Sequence, residues 1–176
     1  MINRPMLLVL LAAAMSTCLL HAATLWDFNG TATPAGTAVE LIKGTPAFVP
    51  TDDGQGLASA TALEWADAPE LRLRPELEIL CRFRLDTSQD EAQILAMKDG
   101  EYIFRADWHE KERCLSFFVR TEGRWEPRLR GPVVQAGTWY DVHVVWTGQE
   151  LTMDVNGEHF SRPRSGRITP GTNPLQ

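Results

Sequence analysis

Cysteine is scarce in this chain, at three residues, tyrosine scarcer at two, and no stretch keeps a helical period for three turns. The few thiols exclude a small disulfide-stapled fold, and residues 24 to 176 are long enough to bury a core without such bridges. The missing helical period excludes a bundle and points to an all-β chain. Several chemistries also lack their local signature. No serine stands in a G-x-S-x-G elbow, and no glycine-rich phosphate loop follows an apolar strand. His109-Glu110-Lys111-Glu112-Arg113 has no second histidine for a zinc helix and carries two cations that would oppose a metal, so Asp107, His109, Glu110 and Glu112 are expected to form a solvated loop. Basic residues are in the minority, 17 against 23 acidic, and the net charge of −6 makes nucleic acid an unfavourable partner.

What is present begins with a leader. Arg4 precedes an apolar run from Met6 to Leu20, broken only by Ser16, Thr17 and Cys18, which is the charged and hydrophobic layout of an export signal. The run is shorter than the roughly 20 apolar residues of a bilayer span, so no stable membrane span is expected. His21-Ala22-Ala23 closes it with small residues, and cleavage is expected after Ala22 or Ala23, an uncleaved anchor being the alternative. Residues 1–23 are therefore read as a signal peptide, and residues 24–176 as one mature domain that is secreted, periplasmic or at the cell surface. Met15-Ser16-Thr17 fits poorly as the approach to a lipid-attachment cysteine, so Cys18 is read as part of the hydrophobic run. Loss of Arg4 leaves 16 basic residues against 23 acidic, net −7.

Beyond the leader, apolar residues alternate with polar ones, as in strands with one packed face and one wet face. The rows are Leu77, Ile79, Cys81, Phe83 and Leu85; Tyr102, Phe104 and Ala106; Leu115, Phe117 and Val119; Tyr140, Val142, Val144 and Trp146; and Leu151, Met153 and Val155. Shorter candidates lie at Val39 to Ile42 and Ala47 to Val49. Asp99-Gly100, Thr147-Gly148 and Asn156-Gly157 mark tight turns, while Pro127 and Pro132 belong in loops or on edge strands. Two sheets facing each other would bury all the rows together. Cys81 and Cys114 lie on strands that point them to different faces and are expected to remain free, partly buried thiols, Cys81 in the core.

The segment Ala136-Gly137-Thr138-Trp139-Tyr140-Asp141-Val142-His143-Val144-Val145-Trp146, followed by Leu151-Thr152-Met153-Asp154-Val155-Asn156-Gly157, resembles the laminin G-like pattern of the concanavalin A-like lectin and glucanase superfamily. Leu25-Trp26-Asp27-Phe28 and Leu77 to Leu85 resemble two further strands of that fold. The resemblance implies a two-sheet antiparallel jelly-roll sandwich. Such domains continue past an N-P-L segment into another strand, so a chain stopping at Asn173-Pro174-Leu175-Gln176 is expected to lack its last strand. The same fold carries lectins, glucanases and adhesion modules.

Laminarinase-like glucanases place carboxylates as E-x-D-x-E or E-x-D-x-x-E, a motif that is missing here, and Glu76 and Glu78 do not reproduce it. A non-catalytic exported module that binds a glycan or another extracellular polymer is therefore expected. The alternatives are an accessory or structural domain of a larger exported glycan-active enzyme, or a divergent glycoside hydrolase with carboxylates converging from separate strands. The polar strand positions give the candidate ligand residues: Arg82, Arg84, Arg105, Phe118, Arg120, Arg128 and His143, with guanidinium groups suited to hydroxyls or carboxylates. The bland reading of the same arginines is that their stems cover apolar surface and their heads pair with acidic neighbours. Calcium, bound by many relatives at a sandwich rim, stays open as a cofactor, with Asp27, Asp52 and Asp53 as oxygen donors or simply as acidic turns.

Overall fold

The computed structural model describes residues 6–12, 24–26, 28, 30–34, 39–52, 54–58, 62–72, 76–86 and 92–176. Its strands are β1 (Met6–Ala12), β2 (Thr24–Leu25), β3 (Leu41–Lys43), β4 (Ala47–Thr51), β5 (Gly54–Ala58), β6 (Glu64–Trp65), β7 (Leu77–Arg84), β8 (Gln93–Lys98), β9 (Tyr102–His109), β10 (Glu112–Val119), β11 (Leu129–Val133), β12 (Trp139–Trp146), β13 (Glu150–Val155) and β14 (Glu158–Pro163). Among the described residues the only helical piece is one 3-10 turn, Pro69–Leu71. The fold is all-β and antiparallel, and it is sandwich-like in that the inner faces of two sheets share one hydrophobic core.

The large sheet runs β14-β13-β12-β7-β1-β5-β4, with β2 also paired to β1. The second sheet is β11-β10-β9-β8. Its continuation, β3-β6, is joined to it by the last residues of the chain. Leu175 exchanges both backbone hydrogen bonds with Trp65, at 2.8 and 3.0 Å, and Gln176 does the same with Met97, at 2.8 and 2.7 Å. Nearby, Lys98 is fully buried and its Nζ meets Glu101 Oε1 at 2.6 Å, Asp67 Oδ1 at 3.0 Å and the Gly171 carbonyl at 3.0 Å. Burial alone would raise the Asp67 carboxyl, but the hydrogen bonds and charges of Lys98 and Arg72 hold it below the ordinary aspartate value.

The alternation read from the sequence is the register of the core. Leu77, Ile79, Cys81, Phe83 and Leu85 are buried, as are the expected rows of β9, β10, β12 and β13. Each such apolar side chain contributes about 1.5–3 kcal/mol on burial. Gly131 packs closely against the other sheet: a Cβ there would meet the Met153 sulfur of β13, which would have to shift to admit it. Pro132 falls on β11, an edge strand, as its missing N–H requires. Asn156 and Gly157 both take positive φ, 50° and 88°, in the tight turn between β13 and β14.

Three features depart from the sequence reading. The strand β14 lacks an alternating apolar row because it is an exposed edge. The segment Glu110-Lys111 is a two-residue hairpin turn with φ of 51° and 72°, not a loose loop, and Asp107 beside it is buried. Met6–Ala12, the front of the apolar leader, is paired along its whole length with β7, from Met6 opposite Arg84 to Ala12 opposite Glu78, and touches β5 on its other side. Apolar residues that suit a leader's hydrophobic stretch also suit a strand flanked on both edges, so one segment satisfies both patterns.

Candidate functional site

On β7, β12 and β13 the residues between the core rows point away from the second sheet. Register sets them in lines across the strands: Arg84 opposite Trp139; Arg82 opposite Asp141; Leu80 opposite His143, then Asp154, then His159; and Glu78 opposite Val145, then Thr152. The middle of this face, with Leu80, Arg82, Trp139, His143, Asp154 and Asn156 in its lining, floors an open groove of about 940 Å³.

Charge is balanced locally along this floor. His143 Nε2 lies 2.6 Å from Glu78 Oε1, and His159 Nδ1 lies 2.7 Å from Asp154 Oδ1. Arg82 reaches Asp141 at 3.6 Å, Arg84 holds Asp86 at 2.9 Å, and both guanidinium carbons sit over the Trp139 ring, at 5.1 and 5.2 Å from its centroid. Asn156 fixes the end of β12 that carries this ring. Its Oδ1 accepts from the Asp141 N–H at 2.8 Å, and its Nδ2 donates to the Trp139 carbonyl at 3.2 Å. The result is an open trough of mainly apolar surface that carries an indole and paired donors and acceptors, a setting in which ion pairs hold geometry more than they add stability.

Of the seven candidate residues, Arg82, Arg84 and His143 lie on this face. Arg105, Phe118 and Arg128 lie on the outward face of the second sheet, on the other side of the sandwich. Arg120 follows the end of β10, where its backbone N–H donates to the Glu101 carbonyl at 2.8 Å, and it joins neither group. Phe118 is only 6% exposed, because Arg105 and Arg128 cover its ring at 4.8 and 5.1 Å. A sugar approaching there would meet guanidinium groups before the aromatic ring. Asp27 and Asp53 lie outside the described residues, and Asp52 is exposed in the turn between β4 and β5. Among the described residues no three His, Cys, Asp or Glu side chains are grouped so as to hold a metal ion.

Sequence reasoning left out Asp154, Asn156 and Trp139 as site residues, and set Glu78 aside as a solvated strand position. Trp139 stood in plain view inside the laminin G-like pattern, where it reads as part of the fold. Register was the usable signal, since Asp154 shares a line with His143 once the Asn156-Gly157 and Thr147-Gly148 turns fix the pairing. Among the described residues both cysteines, Cys81 and Cys114, are free and buried. Burial pushes the Cys81 thiol far up, with the Asp141 charge adding to it, and burial raises Cys114 as well, so neither is an activated nucleophile.

No protein family, no curated protein and no solved structure was found to match this chain, and among the described residues no helix is long and apolar enough to cross a membrane.

Proposed function

We propose that this protein is a non-catalytic carbohydrate-binding module, exported by way of residues 1–23, and that its ligand lies in the groove over β7, β12 and β13. The finer architecture belongs to the same reading: a concanavalin A-like, laminin G-like jelly roll. The observation that carries the proposal is the groove itself, in which an indole and Leu80 stand beside paired carboxylate, imidazole and guanidinium groups. Sugar rings offer an apolar C–H face together with hydroxyls that both donate and accept. A site for them combines an aromatic platform with planar polar groups already oriented. Binding is favoured over hydrolysis because Glu78 and Asp154 are each engaged by a histidine, with His143 standing on the strand between them.

The test is retention of the full chain on immobilised neutral polysaccharides, for wild type, Trp139→Ala and Asp154→Asn. Retention that falls about tenfold or more in Trp139→Ala supports the groove, since truncating an aromatic anchor costs 2 kcal/mol or more at a typical hot spot, roughly thirtyfold. No retention of the wild type, or retention unchanged in both variants, overturns it. Release of reducing ends from the same polymers would replace binding by hydrolysis. Retention that disappears with a chelator would bring calcium into the site. Intact mass after export decides the leader: loss of residues 1–22 or 1–23, which would take β1 from between β7 and β5, is expected, and a full-length or lipid-modified product would contradict it.

A further inference from the structure

The outward face of the second sheet carries a different arrangement. One register line crosses all four strands: Ile94 of β8, Arg105 of β9, Ser116 of β10 and Arg130 of β11. Behind it sits Asp107, 4% exposed. Its Oδ1 accepts from the Ser116 hydroxyl at 2.7 Å, and its Oδ2 takes Nε and Nη2 of Arg105, both at 2.8 Å, together with Nη1 of Arg128 at 3.2 Å. Two guanidinium groups are thus drawn onto a single buried carboxylate oxygen and laid over Phe118.

Arg105 uses Nε and Nη2 and Arg128 uses Nη1 toward Asp107, and the two side chains remain 29% and 24% exposed. The other nearby carboxylate is Glu126, which lies 3.4 Å from Arg128 Nε, accepts the Arg128 backbone N–H at 2.8 Å and is 63% exposed. Arg130, also exposed, adds a third cation to the line, while Glu110 and Glu112 of the β9–β10 hairpin are close enough to act, with Arg130 and Asp107, on the Cys114 thiol. Beside the cations, Ile94 offers an apolar surface that is 45% exposed.

We infer that this line is a second binding surface, selective for the carboxylate groups of an acidic polysaccharide. The guanidinium forks are planar and pre-positioned by Asp107, which suits a planar oxyanion. Ile94 takes the C–H face of the sugar that bears the carboxylate. Asp107 acts as the positioning residue, and Arg105, Arg128 and Arg130 as the contacts. The surface lies across the sandwich from the groove, so one chain would be able to engage two polymers.

Affinity electrophoresis of the full chain through gels containing polygalacturonate, dextran sulfate or an uncharged glucan tests this. Polygalacturonate should retard the wild type more than dextran sulfate does. Retardation should weaken about tenfold in Arg105→Gln and severalfold in Arg130→Gln, whose exposed position makes misfolding an inadequate explanation. The circular dichroism of both variants should match the wild type. No retardation by polygalacturonate overturns the inference, as does retardation unchanged in both variants. A preference for dextran sulfate would mean that charge density alone is read, which also overturns it. Acidic-polymer retardation is read separately from neutral-glycan retention, so the failure of the groove proposal would leave this result intact, and the reverse.

Discussion

The two outward faces of this sandwich start from the same ingredient, arginine at polar strand positions, and end in different states. On β7 and β12 each charged side chain meets an oppositely charged or imidazole partner on a neighbouring strand or turn, and the floor stays open. On β9 and β10 a single buried aspartate collects two arginines over an aromatic ring, and β10 is buried on both faces from Arg113 to Val119. Alternation dictates which side of a sheet a residue takes. Whether that side is then wet depends on whether a long side chain from another strand or loop folds over it. The cover here is assembled at a distance. Arg164, beyond β14, donates to the carbonyls of Val119, Arg124 and Glu126, and so pins the loop that delivers Arg128.

The sharpest break between the faces lies in their aromatic residues. Phe118→Ala should cost about 3–4 kcal/mol in chemical denaturation, as for a core phenylalanine, whereas Trp139→Ala should cost only about 1 kcal/mol. Equal losses would mean that the arginine cover is not closed in solution. Next come the carboxylates. Asp107→Asn should destabilise by about 2 kcal/mol, less than for a fully buried pair because its arginines keep some water, and Asp154→Asn by less than about 0.5 kcal/mol. Smaller again is the Glu78–His143 pair, whose coupling in a double-mutant cycle should be about 0.3–0.5 kcal/mol and should shrink in high salt. The smallest effect is kinetic. A thiol reagent should label Cys114, on the outward face of β10, slowly in the native state and leave Cys81 untouched until global unfolding. Labelling in the reverse order would contradict the assignment of those faces.

Much of this fold was readable in the sequence, because a period of two and a turn dipeptide are local signals. The rows from Leu77 to Leu85 and from Tyr140 to Trp146 carry their burial in their spacing, and Asn156-Gly157 fixes the pairing of β13 with β14. What escaped depends on partners far along the chain. The strands β5, β6 and β11 are short or glycine- and proline-bearing, and they exist because longer neighbours supply their ladders. The segment from Met6 to Ala12 reads as a leader, and its pairing with β7 and β5 leaves no separate mark in the local pattern. The site divided in the same way: Arg82, Arg84 and His143 were accessible through alternation, but the role of Asp107 rests on Arg128, which lies 21 residues away.

The bridge made by Leu175 and Gln176 also has a consequence in time. A chain made and moved from its N-terminus onward would present Trp65 and Met97 more than a hundred and about eighty residues, respectively, before their backbone partners arrive. Until then the facing sides of β6 and β8 are unpaired edges, which recruit strands from other molecules. The closing step therefore waits until residues 175 and 176 have been made. Any stall or proteolytic nick in the final stretch would leave a body with most of its core in place and two neighbouring edges open, a species defined by the moment at which assembly stopped.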